Sequence, residues 1–370
     1  MSEDPFEIYL VATPGLEAPL AAEARDLGWQ ATVQPGGVTI RGGWTDVWRA
    51  NLMLRGATRV LARIGSFRAM HLAQLDKRAR RFPWAHVLRP DLPVKVEATC
   101  RASRIYHAGA AAQRIERAIA EELGAPIAAD AAMVVKARIE DDLVTISLDT
   151  TGRSLHKRGH KQAVAKAPMR ETMAAMFLRE MGFDGSQPVL DPMCGSGTFV
   201  IEAAEIAAGL APGRSRGFAF ESLAGFDPQA WDALRGSILP RPPATCFTGS
   251  DRDAGAVRMS GQNAQRAGVA DWTRFDCCPI AEMQRPGGPP GLVIVNPPYG
   301  ARVGNKGPLF GLHAAMGEAF RSRLAGWRIG IVTSEAGLAK ATGLPLMPPG
   351  PIVAHGGLKV RLWQTGTLPG

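Results

Sequence analysis

The most specific chemistry in this chain lies in Leu292-Val293-Ile294-Val295-Asn296-Pro297-Pro298-Tyr299. Four apolar residues that read as a buried strand run straight into an amide side chain, a pair of prolines and an aromatic ring. The prolines fix the backbone and carry no N–H, which leaves carbonyl oxygens exposed as acceptors. An sp² amino group attacks a methyl carbon only after its lone pair is freed from ring conjugation. Asn296 Oδ1 and the Pro297 carbonyl could accept the two amino hydrogens, and Tyr299 could stack on the base for roughly 1–3 kcal/mol. Asn296, Pro297, Pro298 and Tyr299 are therefore candidate catalytic residues for methylating an exocyclic nitrogen, a reaction that depends on positioning more than on a strong base. The plainer alternative is a Pro-Pro turn with Tyr299 packed in the core.

A second cluster lies about a hundred residues upstream. Leu190-Asp191-Pro192-Met193-Cys194-Gly195-Ser196-Gly197-Thr198 reads as a strand-to-helix turn in which Gly195 and Gly197 admit a ligand against the backbone. Val200 stands where a dinucleotide fingerprint would have its third glycine, and no Gly-Lys-Ser/Thr follows, so neither a pyrophosphate loop nor a phosphate-binding P-loop is spelled. The carboxylate of Asp191 before the loop favours a ligand with a positive end. S-adenosylmethionine, with its ammonium and sulfonium, fits. Asp251 ends the next strand, where it could accept from ribose hydroxyls, and Asp276 ends a third, where it could accept from an adenine amino group. Asp253 reads equally well as a helix cap.

These motifs need a frame. Strands alternate with helices after Pro188 (Val189-Leu190, Thr198–Ala208, Phe247–Ser250, Ala254–Ala267, Leu292–Val295, Ile329–Thr333), which predicts an α/β doubly wound, Rossmann-like sheet. The front of the chain reads α+β: strand Phe6–Val11, helix Leu16–Leu27, a hairpin over 31–41, helix Trp44–Leu54 and strand Arg59–Phe67 follow the ferredoxin-like order. A second front unit has a helix near Leu75–Phe82, strand Val94–Thr99, helix Tyr106–Leu123 and a hairpin over 134–148, with Trp44 and Trp84 as expected core anchors. The polar stretch 152–167 reads as a linker, and the Pro/Gly-rich stretches 239–243 and 286–291 as loops rather than domain joints. The expected division is 1–65, 66–155, a basic linker 156–167, and 168–370.

Charge is unevenly placed. The net +9 hides a +9 block from Arg55 to Arg104 and an acid-free +6 block from Arg153 to Arg170, against −6 over the rest. Two one-signed blocks suggest a polyanionic partner, with Arg78, Arg80, Arg81, Arg104, Lys157, Arg158 and Lys161 as candidate phosphate contacts. Such contacts do not separate RNA from DNA. His156 and His160 have no acid or cysteine close in sequence, so phosphate contact is favoured over a metal, and no metal is expected. Five cysteines without a Cys-x-x-Cys pair argue against a disulfide framework or structural zinc. With no apolar run long enough for a membrane span and no signal-like N-terminus, a cytoplasmic protein without a membrane partner is expected.

Asp-Pro-Met-Cys-Gly-Ser-Gly-Thr together with Asn-Pro-Pro-Tyr-Gly resembles the class I S-adenosylmethionine-dependent methyltransferases that carry an N-terminal THUMP domain. Within that group the resemblance is to the guanine-N2 methyltransferases of bacterial large-subunit ribosomal RNA. Gly36-Gly37-Val38, Asn51–Phe67, Leu155–His160, Pro168–Thr172, Gly249–Asp251 and Asn263-Ala264 match in order. The resemblance implies a ferredoxin-like domain over 1–65, an RNA-binding THUMP domain over 66–155 and a methyltransferase domain over 168–370. It implies that Asp191, Pro192, Met193, Cys194, Gly195, Gly197, Thr198, Asp251, Arg252, Asp276 and Cys277 hold the cofactor, with Asn296 beside it and Glu171 near it. Structured RNA is the implied partner, rRNA or tRNA. The chain differs from the bifunctional ribosomal enzyme in having no second methyltransferase domain before Gly370. DNA adenine-N6 methylases and protein glutamine methyltransferases share the catalytic tetrapeptide; the basic blocks and the front half favour RNA.

Overall fold

The computed structural model describes residues 5–162, 169–299 and 307–370. By backbone packing these fall into two units, one of residues 5–12, 21–155 and 216–237, the other of 13–20, 156–162, 169–215, 238–299 and 307–370.

In the first unit, β1 (Phe6–Val11), α1 (Glu17–Asp26, whose residues 17–20 fall in the second unit), β2 (Thr32–Gln34), β3 (Gly37–Gly42), α2 (Trp44–Met53) and β4 (Arg59–Arg68) follow the expected ferredoxin-like order. After them come α3 (Leu72–Arg80), β5 (Val94–Arg101), α4 (Ala108–Leu123), β6 (Met133–Glu140) and β7 (Leu143–Asp149). These strands share one sheet, in the order β2-β3-β1-β4-β7-β6-β5, because β4 pairs antiparallel with β1 on one side and β7 on the other. A single continuous sheet thus spans the expected boundary at residue 65. Helix α4 buries Ala111, Ile115, Ala118 and Ile119, the spacing of one helical stripe. It begins two residues later than expected because His107 caps it: Nδ1 accepts from the Ala110 N–H at 3.0 Å. Trp84 and Trp44 are buried as expected, and the Trp84 indole donates to the Ala79 carbonyl at 2.8 Å.

The second unit opens with α5 (Glu171–Glu180), β8 (Val189–Asp191) and α6 (Thr198–Ala207). Helix α5 is buried at every residue from Glu171 to Leu178. The chain then contributes residues 216–237, including α7 (Pro228–Gly236), to the first unit. There Phe218, Phe220, Phe226 and Trp231 form an aromatic cluster with Trp48 of α2; Trp48 lies 5.6 Å from Phe226 and 6.0 Å from Phe220. The change of unit falls between 237 and 238, next to the Pro-rich stretch 239–243, which corrects the expectation that this stretch marks no joint. Composition alone could not separate a loop from a crossing.

Back in the second unit, β9 (Phe247–Asp251), α8 (Ala254–Ala267), β10 (Thr273–Cys277), β11 (Leu292–Val295), α9 (Gly307–Arg323), β12 (Arg328–Thr333), α10 (Ala336–Ala341), β13 (Val353–His355) and β14 (Leu358–Thr367) complete the fold. The strand order is β10-β9-β8-β11-β12-β14-β13; the first five run parallel, and β14 runs antiparallel to both its neighbours. Strands β8 and β11 are buried at every position, as a parallel sheet covered on both faces requires. Among the described residues no helix is long and apolar enough to cross a membrane.

Candidate active site

In an open parallel sheet, ligands bind outside the carboxyl ends of the strands where the order reverses. Here the reversal lies at β8, with β9 on one side and β11 on the other. The carboxyl ends of β8, β9, β10 and β11 carry Asp191, Asp251, Cys277 after Asp276, and Asn296. The structure therefore gathers the predicted acids and the amide on one edge of adjacent strands.

Asp191 is 2% exposed, and its Oδ1 accepts from the Met193 N–H at 3.1 Å. Burial, with the Asp251 carboxylate adding to it, pushes the Asp191 carboxyl up to about 8. A buried acid beside another acid is a place prepared for a cation. The loop that follows is pinned from several sides. The Cys194 N–H donates to the Ser250 carbonyl at 2.9 Å, and the Gly195 N–H to Asp251 Oδ2 at 3.1 Å. Ser260 Oγ donates to the Gly195 carbonyl at 2.9 Å, and Asn263 Nδ2 to the Ser196 carbonyl at 3.0 Å. Gly195 and Gly197 both have positive φ, 56° and 83°, which side chains with a Cβ rarely adopt. Gly249 is fixed by space instead: a Cβ there would lie 2.8 Å from the Phe275 ring.

The remaining cofactor candidates sort by environment. Pro192 is buried, and Met193 packs against the core cluster that includes Leu190 and Ile280. Cys194 is buried, with Sγ 3.7 Å from Ser260 Oγ. Burial, with Asp191 next to it, raises its thiol well above the usual range, so it stays a neutral packing residue and no nucleophile. Asp253 caps α8, its Oδ1 accepting from the Gly255 N–H at 2.7 Å. Asp276 is 44% exposed and paired with Arg274 Nε at 2.9 Å. Arg252 and Cys277 are exposed, and Cys277 Sγ lies 3.7 Å from the Arg252 carbonyl. Thr198 is buried at the start of α6 and its Oγ1 accepts from Lys161 Nζ at 2.8 Å. Glu171, also buried, lies 3.3 Å from the same ammonium.

At the end of β11, Asn296 Oδ1 is buried and has no hydrogen-bond partner among the described residues. A buried amide oxygen left unpaired costs about 1–3 kcal/mol, so the arrangement calls for a donor. Pro297 is buried, Pro298 exposed and Tyr299 half-buried; Gly300, the last residue of the motif, lies outside the described residues. Two further buried hydroxyls, Thr172 Oγ1 and Ser250 Oγ, also lack partners among the described residues. A lone Ser or Thr carries no pattern, so the sequence does not mark either of them as a site residue. Ser260 and Asn263 had a signal in their i, i+3 spacing on α8, which puts both on its buried face.

The basic candidates divide sharply. Arg158 is 2% exposed and pairs with buried Glu202 at 3.1 Å; Lys161 is spent on Thr198, Glu171 and the Met169 carbonyl. Both are removed from the expected phosphate-binding set, and residues 156–162 are no free linker. Residues 163–167 of that expected linker lie outside the described residues. Burial and nearby Arg170, Lys157, Arg158 and Lys161 hold the His156 imidazole down to about 4, so it is neutral at pH 7. His160 faces Glu205, with Nδ1 to Oε1 at 3.8 Å. Arg80 is held by Asp76, Glu121 and Glu122, which neutralise it and correct its assignment to the partner surface. Arg78, Arg81 and Lys157 are exposed, as is Arg104, whose Nε lies 3.8 Å from Asp142.

Comparison with known proteins places these features. A family model described as RMKL-like, methyltransferase domain, matches residues 158–345, and one described as RlmL ferredoxin-like domain matches residues 7–61. "Ribosomal RNA large subunit methyltransferase K/L" of Syntrophotalea carbinolica is 33% identical over 92% of this chain and 51% of its own length. The chain thus spans about half the length of the ribosomal relatives it matches. "Putative RNA methyltransferase YpsC" of Bacillus subtilis is 30% identical over 91% of this chain and 90% of its own. The crystal structure of "a putative methyltransferase complexed with SAH" superimposes with a TM-score of 0.88 at 28% identity, covering 100% of this chain and 99% of that one. With a ferredoxin-like front, a Rossmann-like sheet and the acids and amide on its carboxyl edge, the chain belongs to the family of RMKL-like methyltransferase-domain proteins.

Proposed function

We propose that this protein transfers a methyl group from S-adenosylmethionine to an exocyclic amino nitrogen in structured RNA, with guanine N2 of large-subunit ribosomal RNA as the target. The observation that carries the reading is the buried Asn296 Oδ1, without a partner among the described residues, at the carboxyl end of β11, next to the strand that ends in buried Asp191. When bound, the cofactor supplies an electrophilic methyl on a cationic sulfur. Asp191 brings negative charge to its positive end, Asp251 accepts from its ribose hydroxyls, and the backbone at Gly195 and Gly197 lets it lie against the loop. Asn296 Oδ1 and the Pro297 carbonyl accept the amino hydrogens of the base and turn its lone pair outward, while Tyr299 stacks on the ring. Residues 66–155 act as the THUMP module, and exposed Arg78, Arg81, Arg104 and Lys157 contact phosphates. Basic charge with a ferredoxin-like front half favours RNA over DNA or protein as the acceptor.

Incubation with labelled S-adenosylmethionine and separate total RNA, DNA and protein fractions tests the reading: label is expected in RNA, and label confined to DNA or protein contradicts it.

The raised Asp191 adds a pH dependence with a definite sign. The folded protein keeps this proton up to about pH 8, against an ordinary value of 3.8 that stands for the unfolded chain. This group alone therefore lowers stability as pH rises from 3.8 towards 8 and changes nothing further above it. A ligand ammonium placed against Asp191 reverses the preference, because it favours the ionised form, so binding expels the proton. Affinity for SAH is expected to rise with pH between about 6 and 7, by up to about tenfold per unit, with net proton release in calorimetry. Flat affinity with no proton release would remove Asp191 from the ligand's charge partners.

A further inference from the structure

The segment His156-Lys157-Arg158-Gly159-His160-Lys161 stands out in the sequence, and neither phosphate binding nor metal binding accounts for the burial of Arg158 and His160 within it. The ammonium of Lys161 is used up: it donates to Thr198 Oγ1 and to the Met169 carbonyl, both at 2.8 Å, and pairs with Glu171 at 3.3 Å. An ammonium has three N–H groups, and here each has a partner. Thr198 is the first residue of α6, directly after the glycine loop. A second line runs from the neighbouring backbone. The His160 carbonyl accepts from Arg266 Nε at 2.8 Å, the other arm of Arg266 donates to Asn263 Oδ1, and Asn263 Nδ2 donates to the Ser196 carbonyl inside the loop. Arg158 locks the segment down through Glu202 of α6.

We infer that residues 158–161 brace the glycine loop in its cofactor-binding shape, with Lys161 as the positioning residue. The inference rests on the reading of that loop as the S-adenosylmethionine site. A loop with two glycines at positive φ has many conformations open to it, so a ligand that needs one of them would bind at the cost of ordering the rest. Lys161 ties the loop's exit at Thr198 to the start of α5 at Glu171, and Arg266 with Asn263 ties its middle at Ser196 to the His160 backbone. Lys161 acts through the loop, with all its donors engaged by protein groups.

Lys161→Met keeps the stem and removes the donors. It is expected to weaken SAH binding about tenfold in titration calorimetry, the loss of a charge-assisted hydrogen bond. The KM for the methyl donor should rise by a similar factor while kcat changes little, and RNA affinity and its salt slope should stay at the wild-type level. Thr198→Val should weaken SAH binding in the wild-type chain and have little further effect in the Lys161→Met background, because both remove one bond. Unchanged SAH affinity, additive effects, or a reduced salt slope for RNA in Lys161→Met would each overturn the brace. Should Lys161→Met not yield folded protein, Lys161→Arg carries the same test, since it keeps the charge opposite Glu171 but presents a planar fork to Thr198. Failure of the wild-type chain to bind SAH would instead overturn the cofactor reading and the brace with it.

Discussion

Asn296→Ala is expected to lower turnover by about a hundredfold while leaving SAH affinity within a few-fold of wild type. The split follows from where the amide sits. Asn296 follows β11, and its Oδ1 is buried with no partner among the described residues, so removing that oxygen breaks no hydrogen bond among them. The variant should melt at or above the wild-type temperature, because an unsatisfied buried acceptor has been deleted. What is lost is the acceptor that orients the amino group, a contribution felt in the transition state and little in cofactor binding. Asn296→Asp keeps an oxygen in place and should retain more activity than Asn296→Ala. Steady-state kinetics with saturating RNA, with binding measured separately, check both statements. Full turnover in the alanine variant would dismiss the proposed role.

Arg158→Met should destabilise the chain by about 3–5 kcal/mol, because it takes a charge partner from a buried carboxylate. Glu202 is fully buried beneath it, and Glu205 of the same helix is buried as well. Arg214 and His160 face Glu205, at 2.5 and 3.8 Å, and neither replaces the 3.1 Å contact on Glu202. The loss should appear in denaturant melts of the cofactor-free chain. Replacing both partners, Arg158→Met with Glu202→Leu, should recover most of it, since an apolar pair of similar volume leaves no unpaired charge. A stable Arg158→Met single variant would mean that the guanidinium is open to solvent after all.

Much of the candidate site could be read from the chain because its chemistry is spelled in short contiguous runs. An apolar strand followed by a polar residue marks a carboxyl edge, and this happens at Asp191 and Asn296. Parallel strands buried on both faces also announce themselves as apolar runs, as in Leu292–Val295. Other features had no local signal. Helix α5 is buried from Glu171 to Leu178, and α7 belongs to a segment that packs with residues far away in sequence. The basic block from Arg153 to Arg170 misled for a physical reason. Its acids are supplied by Glu171, Glu202 and Glu205, the last two more than thirty residues downstream, so a window of local charge sees cations without their partners. Arg80 repeats the point, with Glu121 and Glu122 about forty residues away.

The central claim is amino methylation of RNA, and the nature of the methylated nucleoside tests it most directly. RNA labelled by the purified protein, and ribosomal and transfer RNA from cells with and without its gene, can be digested to nucleosides and compared by mass spectrometry. N2-methylguanosine is expected in ribosomal RNA, is expected to disappear with the gene, and should return on incubation with the protein and S-adenosylmethionine. Unchanged RNA nucleosides, together with new N6-methyladenine in DNA or methylated glutamine in protein, would contradict it.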